Sequence, residues 1–444
     1  MKEPKLAIKS LDALVTTPGN VMALDDDSSM FTRATSLAQL VSYLLLLLQQ
    51  PLTRAQGSWS AEASMKKPSQ IVADCFSPAV DLILKSQLEA STERVHSAAS
   101  VFHQFAIFAE RQYHTISRSP DALRWKLYID RKKDEIKQRA NQLQRLAGNH
   151  PERGALQRQQ ERAQALLAQD QERAKEHLGQ RNTFLSHAVE MYSRCLTLSD
   201  NFDEDSPIRL CSLWLANFEN DDEALRFEVA LKRVPSRKLV FLAHQLTARL
   251  SAEQTPTSRN QPILQAVILR MCHEHPFHSV FPLYCIRIDR HSPSSQASGS
   301  RRQSGRHASQ ASPSQIERTT AAATIFSKLL SDDHVSQRIK DVELVCDASL
   351  ELAKYPIRNQ LVNGRVPRSF TVPDGLLVRK LVDIKVPVIT AHTPIDPTTQ
   401  YQDCDWIGKF ESHYTTAGGV NLPKIIKCVS TSGRIYKQLV SRYS

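Results

Sequence analysis

The sequence predicts a mainly α-helical protein, built as a solenoid of stacked helix pairs and followed by a small antiparallel β portion. Three observations support this fold class. The 444 residues include only 13 glycines and are rich in Ala, Leu, Gln, Arg and Glu, which favour helices. Apolar residues recur at helical spacing over much of the chain. Near the C-terminus, two runs of β-favouring residues flank a turn that contains glycine.

Helical periodicity is weak in residues 1–58 and regular from Trp59 onward. We interpret 1–58 as an irregular lead-in, with a loop at 25–29 and a helix over 31–50 that ends at Pro51. One buried stripe is clear further on, at Val101, Phe102, Phe105, Phe108 and Ala109.

A long helical hairpin is predicted over residues 120–196. Ser119 and Pro120 form a typical helix start, and the first charged helix runs to about Leu146. A break at 148–151 precedes a second charged helix, which becomes apolar from Phe184 onward and re-enters the core. A nucleic-acid-binding arm is the alternative, but mixed charges favour a solvated surface. The acidic residues concerned are Asp134, Glu135, Glu161 and Glu172.

Further helices are predicted at Leu239–Leu250, Ile263–Met271, Ile325–Leu330 and Val342–Leu352. In the first of them, Leu239, Leu242, Ala243, Leu246 and Leu250 share one face. Helix pairs of roughly 35 to 40 residues are typical of an α-solenoid, in which each pair buries its apolar face against its neighbours.

Composition indicates which partners and which cellular compartment to expect. The formal charge is +11 with a pI near 9.3, which suits an acidic partner but also a solvated helical surface, because the charge is spread along the chain. Eight scattered cysteines without a CxxC pair indicate reduced thiols in the cytosol or nucleus. No secretory signal is visible, and the apolar run 41–48 is too short to cross a bilayer, so we expect no membrane association.

The run Cys272-His273-Glu274-His275-Pro276-Phe277-His278 places five potential metal ligands close together. So short a run does not wrap a tetrahedral site, and no second cluster stands out to complete one. We therefore predict no metal site here.

Residues 291–316 change character abruptly to Ser, Gln, Arg and Gly. With almost nothing to bury, they are predicted to form a disordered insertion between helices. The segment contains three Ser-Gln dipeptides, which begin at Ser295, Ser309 and Ser314.

Three strands are predicted near the end of the chain: Trp406–Tyr414, Lys424–Val429 and Arg434–Val440. Between the first two lies Ala-Gly-Gly-Val-Asn-Leu-Pro-Lys, residues 417–424. Paired glycines let backbone approach a bulky ligand, and Lys424 is placed to offer positive charge to a phosphate. The alternative is an ordinary turn without a ligand.

The string AGGVNLPKI, together with the hairpin ending YKQLV, resembles the start of the small lobe of the ATM-type kinases. These are phosphatidylinositol-3-kinase-related Ser/Thr protein kinases, including the fungal telomere-length and DNA-damage kinase. Residues Arg209–Leu215 are similar to the FAT region of that family, a helical-repeat, TPR-like solenoid. The resemblance implies FAT-type repeats over 59–290, the last FAT helices over 317–365, and the start of the kinase small lobe over 366–444.

The resemblance also implies site residues. The nucleotide loop that covers the ATP phosphates would comprise Gly418, Gly419, Val420, Asn421, Leu422, Pro423 and Lys424. After QLV the family has a lysine that reaches the ATP phosphates, where this chain has Ser441. Lys437 faces the same way but lies about 13 Å back along the strand, so it is a poor substitute. We find no catalytic-loop Asp, Mg²⁺ ligand or activation segment in the chain, and therefore assign no catalytic residue.

The expected function is that of a truncated segment of an ATM-type kinase, inactive by itself, whose parent phosphorylates Ser-Gln sites in DNA-damage and telomere signalling in the nucleus. ATP and Mg²⁺ would serve the parent, and we expect neither to be bound by this segment. Implied partners are the rest of the kinase domain and FAT solenoid, DNA-damage sensors and a second copy of the parent. Ser295, Ser309 and Ser314 become candidate phosphorylation sites. The alternative function is a non-enzymatic basic helical scaffold that binds proteins or nucleic acid.

Overall fold

The computed structural model describes residues 67–85, 92–145, 152–251, 259–288, 313–357, 367–417 and 422–441. They form two compact units: the first contains residues up to 217 together with 229–234, and the second contains 218–228 and the residues from 235 onward. The predicted fold class is confirmed, since helices dominate and a small antiparallel sheet follows them. In the described part of the chain, no helix has both the length and the apolar character that crossing a membrane requires.

Helices make up the described part of the first unit. Successive helices are α1 (Pro68–Ile71), a π-helical turn (Val72–Phe76), α2 (Ser77–Lys85), α3 (Thr92–Ser117), α4 (Pro120–Arg145), α5 (Arg153–Leu198) and α6 (Ser206–Ala216). Helix α7 (Asp221–Arg233) contributes its last residues to this unit and its first residues to the second.

The predicted helical hairpin is confirmed as α4 and α5. Half-buried positions on α5 recur at alternating spacings of four and three residues, the pattern of a coiled-coil seam. They are Leu156, Gln160, Ala163, Leu167, Asp170 and Ala174. Across this seam the Lys132 ammonium lies 2.9 Å from the Asp170 carboxylate, and the Trp125 ring meets the His177 ring edge to face.

At the base of the hairpin, α5 packs against α3 over a core that includes a buried carboxylate, Glu110. The Tyr192 hydroxyl donates to Glu110 at 2.5 Å, and the Arg209 guanidinium donates to the same oxygen at 3.0 Å. Burial and the adjacent carboxylate raise the pKa of the Tyr192 hydroxyl, so this tyrosine stays protonated. Arg209 opens the FAT-like segment, and its role in the structure is to tie α6 to α3.

After the first residues of α7, the second unit continues with short helical turns. In chain order its elements are two 3₁₀ turns (Ser236–Lys238 and Val240–Leu242), α8 (Ala243–Thr247), α9 (Asn260–Glu274), α10 (Pro276–Ile288), α11 (Pro313–Leu330) and α12 (Ser336–Lys354). Helices α9 and α10 meet at a sharp corner, and both α11 and α12 pack against α10.

Two predictions about helices were wrong. The segment Leu239–Leu250 is not one helix, although all five of its predicted inward residues are buried. Residues three apart eclipse in a 3₁₀ turn, so this turn also places Leu239 and Leu242 on one face. Residues 313–316 of the predicted disordered insertion belong to α11, which begins at Pro313, because the fixed φ of proline suits the first helical position.

The strands of the second unit form one antiparallel sheet. They are β1 (Phe370–Thr371), β2 (Val382–Pro387), β3 (Trp406–Thr416), β4 (Lys424–Ser430) and β5 (Ile435–Val440), with a short helix α13 (Leu377–Lys380) between the first two. The order is β1-β3-β4-β5, and β2 also pairs with β3. The predicted hairpin is confirmed, and Gly433 in its turn has a φ of 81°, which favours glycine.

Gly408 lies where β3 shifts register against β4. A Cβ atom there would lie 2.8 Å from the carbonyl oxygen of Val429 and 3.1 Å from backbone atoms of Ser430. The close approach of the two backbones therefore requires glycine.

We predict that Gly408→Ala lowers the free energy of unfolding of the second unit by about 1–3 kcal/mol, because the methyl group forces β3 and β4 apart. Gly375→Ala is the matched control, since no atom lies within 4 Å of its Cβ position. Urea unfolding of both variants measures the difference. Equal stabilities would contradict the close packing described for Gly408.

Candidate functional site

The predicted nucleotide loop connects two strands that pair up to its ends. Thr416 lies opposite Lys424, and one step further the amide of Ala417 donates to the carbonyl of Pro423 at 2.8 Å. Leu422 has a left-handed φ of 41°. The residues between these stems, Gly418, Gly419, Val420 and Asn421, lie outside the described residues. The described ends of the loop are therefore those of a connection between paired strands, as the sequence predicts.

The sheet has one covered face and one open face, because side chains alternate along each strand. The covered face packs towards α12 and carries buried residues of β3 and β4. They are Ile407, Phe410, Tyr414, Lys424, Ile426, Cys428 and Ser430. The open face carries exposed residues of β3, β4 and β5, which are Lys409, Lys427, Ile435, Lys437 and Leu439.

Positive charge and apolar surface occur together on the open face. Lys437 lies directly opposite Lys427, whose ammonium is 3.2 Å from the Glu411 carboxylate. Ile435 and Leu439 are 61% and 63% exposed. Exposed aliphatic side chains offer a surface for an aromatic ring, and lysines offer charge to phosphate groups. An apolar surface beside lysines is chemically compatible with a nucleotide such as ATP, the ligand that the resemblance implies for the parent kinase.

Ser441 is exposed and continues the alternation of the open face beyond β5. Its hydroxyl carries no positive charge, so Ser441 offers no cation at the position where the resemblance implies a lysine. Lys437 lies on the same face, as predicted, but two alternate positions earlier in the strand.

Lys424 faces the opposite way from the open-face lysines. Its side chain is 4% exposed, and its ammonium donates to the carbonyl of Ala353 at 3.0 Å. Ala353 lies in the last turn of α12, where unpaired carbonyls and the helix dipole favour a cation. The structure thus places the Lys424 ammonium at a helix C-terminus, and its predicted contact with a phosphate stays a prediction.

A charged side chain of α12 itself holds the segment that leads into the sheet. The carboxylate of Glu351 accepts a hydrogen bond of 2.6 Å from the amide of Leu377, the first residue of α13. A carboxylate at a helix N-terminus is favourable for the same electrostatic reason as a cation at a C-terminus. Sequence reasoning did not identify Glu351 because a lone Glu in a helix is usually solvated.

The histidine-rich corner between α9 and α10 makes hydrogen bonds within the second unit. His278 Nε2 lies 3.0 Å from the carbonyl of Thr393, so this nitrogen donates and Nδ1 is left to accept. The Tyr401 hydroxyl, 3.2 Å from that Nδ1, donates to it. His275 Nδ1 is 2.8 Å from the same hydroxyl oxygen and donates to it. The result is a chain of hydrogen bonds in which both imidazoles are neutral.

The pKa shifts of the two histidines agree with neutral imidazoles. Burial lowers the pKa of His275 to about 4 and also lowers the pKa of His278. His273 is not part of these hydrogen bonds around Tyr401. Its Nε2 lies 3.1 Å from the Asp332 carboxylate. Within the described segments, no three His, Cys, Asp or Glu side chains are placed to share a metal ion.

No sequence pattern indicated a role for Tyr401. Its hydroxyl nevertheless joins the loop before β3 to the corner between α9 and α10. It has a left-handed φ of 53°, and Thr399 has one of 65°. The Asp396 carboxylate accepts from the Tyr401 amide at 2.6 Å and from the Thr398 amide at 2.8 Å, which stabilises this turn. Arg338 of α12 donates to the Thr399 carbonyl at 3.1 Å.

Of the candidate phosphorylation sites, Ser295 and Ser309 lie outside the described residues. Ser314 lies in the first turn of α11. Their modification stays a prediction.

Comparison with known proteins identifies homologues over almost the whole chain. No family model matches it. The chain is 29% identical over 98% of its length to the serine/threonine-protein kinase TEL1 of Cryptococcus neoformans, and it covers 14% of that protein. It is 27% identical over 87% of its length to tel1 of Emericella nidulans and 27% identical over 89% to the serine-protein kinase ATM of Sus scrofa, covering 13% of each.

Solved structures agree on the fold. The complete CtTel1 dimer with C2 symmetry superposes over 98% of this chain and 14% of that one, with a TM-score of 0.71 and 21% identity. The FAT and kinase domain of CtTel1 superposes over 97% of this chain and 28% of that one, with a TM-score of 0.66 and 20% identity. The predicted resemblance is confirmed: the homologues are Tel1 and ATM kinases, and the chain spans about a seventh of their length.

We predict that Lys424→Ala lowers the free energy of unfolding of the second unit by about 1–3 kcal/mol, because it leaves a cavity and an unpaired helix carbonyl. Lys427→Ala, on the open face of the same strand, is the matched control. It should cost less than about 1 kcal/mol, as exposed ion pairs do. Urea unfolding compares the two. A larger loss for Lys427→Ala would contradict the placement of the two lysines.

The low pKa of His275 predicts a loss of stability in acid. The unfolded chain binds this proton near the usual pKa of about 6.5 and the folded chain near 4, so stability falls as pH drops through that window. At pH 5 the loss is roughly 2 kcal/mol. His275→Gln, which cannot titrate, should reduce the difference in urea unfolding between pH 7 and pH 5. The control is His392→Gln at an exposed position, which should leave the stability difference between pH 7 and pH 5 unchanged. A smaller difference in the His392 variant but not in the His275 variant would contradict the role given to His275.

Proposed function

We propose that this chain is a segment of an ATM-type serine/threonine protein kinase of DNA-damage and telomere signalling. Helices of the FAT type would lead into the first strands of the kinase small lobe. The parent kinase would phosphorylate Ser or Thr, mainly before Gln, in the nucleus.

The observation that carries this proposal is the similarity to a Tel1 kinase over 98% of the chain and to ATM over 89% of it. It is supported by the agreement in fold with the FAT and kinase domain of CtTel1. The position of the AGGVNLPK string between β3 and β4 adds a further argument, because a loop joining two strands is the form that a phosphate-covering loop takes in kinases.

The open face of the sheet would bind ATP in the parent. Leu439 and Ile435, which are exposed on this face, would contact the adenine ring, and the loop 417–424 would cover the phosphates. Mg²⁺ would be held by other residues of the parent, because the sequence of this chain contains no recognisable Mg²⁺-binding motif of a kinase. Ser441 cannot neutralise phosphate charge, so we expect little or no ATP binding by the chain itself.

The helices would hold this sheet against the remainder of the kinase domain and of the FAT solenoid. Other partners of the parent would be DNA-damage sensor proteins and a second copy of the parent. Autophosphorylation at Ser295, Ser309 and Ser314 would follow from a preference for Ser-Gln.

We predict that the 444-residue polypeptide transfers no phosphate from radiolabelled ATP to a Ser-Gln peptide in the presence of Mg²⁺. Phosphoryl transfer needs a catalytic Asp and Mg²⁺ ligands, and a few strands do not supply them. Transfer above background that persists after further purification would contradict the assignment of inactivity.

The kinase assignment itself is tested by the gene sequence 3′ of the Ser444 codon. We expect a reading frame that encodes a catalytic Asp, Mg²⁺ ligands and a C-terminal helical tail. A locus without any such coding sequence would contradict the proposal.

A further inference from the structure

Positive charge is segregated along the α4–α5 hairpin. We define the hairpin end as residues 137–145, which close α4, and 152–162, which comprise Glu152 and the start of α5. It carries six Lys or Arg and two Glu in 20 residues. The rest of the hairpin, 120–136 and 163–181, carries eight Lys or Arg and seven Asp or Glu in 36 residues. Most of the net charge of the hairpin is therefore at one end.

Ion pairs also differ between the hairpin end and the rest of the hairpin. Among the side chains that the structure describes in the rest of the hairpin, four ion pairs have N···O distances between 2.9 and 4.0 Å. They are Arg131–Glu135, Lys132–Asp170, Lys133–Asp130 and Lys175–Glu172. At the hairpin end, five cations make no ion pair with any residue that the structure describes. They are Lys137, Arg139, Arg145, Arg158 and Arg162.

These cations are accessible. Lys137, Arg145, Arg158 and Arg162 are exposed, and Arg139 is half-buried. Arg158 uses its Nε to donate to the carbonyl of Gly154 at 3.2 Å, which leaves its terminal nitrogens for another acceptor. Arg158 and Arg162 are one helical turn apart, so they present two guanidinium groups in succession along α5.

The chemistry of this surface selects among anionic partners. An acidic peptide gains most of its affinity from apolar anchors, but Leu143 and Leu156 of the hairpin end are half-buried in the seam. A single nucleic-acid strand needs aromatic side chains for its bases to stack on, and the hairpin end contains no aromatic residue. A duplex backbone needs only cations and polar groups at its phosphates and sugars.

Glutamines supply those additional polar groups. Exposed amides alternate with the cations on both helices, and amides are common partners of phosphate and sugar oxygens. They are Gln138, Gln142, Gln144, Gln157 and Gln159.

We propose that the hairpin end binds the phosphate backbone of a nucleic-acid duplex without reading its base sequence. The binding would be electrostatic and would release counterions, so its affinity would fall steeply with salt. It uses residues of the first unit alone and does not depend on the kinase assignment.

The test is fluorescence anisotropy of a labelled DNA duplex of about 20 base pairs, titrated with the full chain at several salt concentrations. One variant combines Lys137→Gln, Arg145→Gln, Arg158→Gln and Arg162→Gln. The matched control combines Arg131→Gln, Lys133→Gln, Arg173→Gln and Lys175→Gln in the rest of the hairpin. Each lowers the formal net charge of +11 by four, and circular dichroism checks that both remain folded.

We expect the hairpin-end variant to bind at least about tenfold more weakly than the control near 0.1 M salt, with a salt slope smaller by about 3 to 4. Equal losses for the two variants would show attraction to net charge alone and overturn the proposal. So would the absence of duplex binding by the wild-type chain at low salt. Displacement of the duplex by polyglutamate at equal charge concentration would also overturn it, in favour of an acidic protein partner.

Discussion

Two oppositely charged side chains at the C-terminal end of α12 determine where the sheet lies in the second unit. Lys424 at the start of β4 donates to the Ala353 carbonyl, and Glu351 accepts from the first amide of α13. Each contact satisfies a backbone group that a helix end leaves unpaired. Together they hold both the lead-in segment and the stem of the predicted nucleotide loop against one helix, so the opposite face of the sheet stays open.

The hydrogen bonds around Tyr401 add a constraint at another corner of the same unit. Neutral histidines suit a buried chain of single donors and acceptors, since a protonated His278 would present a second donor to the tyrosine hydroxyl. The loop before β3 adopts left-handed backbone at Thr399 and Tyr401, which costs free energy unless the surroundings compensate. The hydrogen bond that Asp396 accepts from the Tyr401 amide, the one that Arg338 donates to Thr399 and those with the histidine corner provide that compensation.

Local signals predicted much of this architecture, and long-range contacts account for what they missed. Pro120 and the break before Arg153 marked the long hairpin, and Gly433 marked the β-hairpin. Alternation along β4 places Lys424 and Lys427 on opposite faces, but sequence alone does not reveal which face a helix covers, so the contact between Lys424 and the end of α12 was not anticipated. Tyr401 contacts histidines more than 120 residues earlier, and no local pattern indicates such a pair.

The proposed arrangement, in which FAT-type helices carry a kinase small lobe, requires the sheet and α12 to behave as one structural unit. Amide hydrogen exchange of the intact chain, monitored at Ile426 and Cys428 in β4 and at Val342 and Val345 in α12, tests this most directly. Because opening of one cooperative unit exposes all of its amides together, we expect similar protection at the four positions. Exchange at β4 that is orders of magnitude faster than at α12 would contradict a sheet held by its helix.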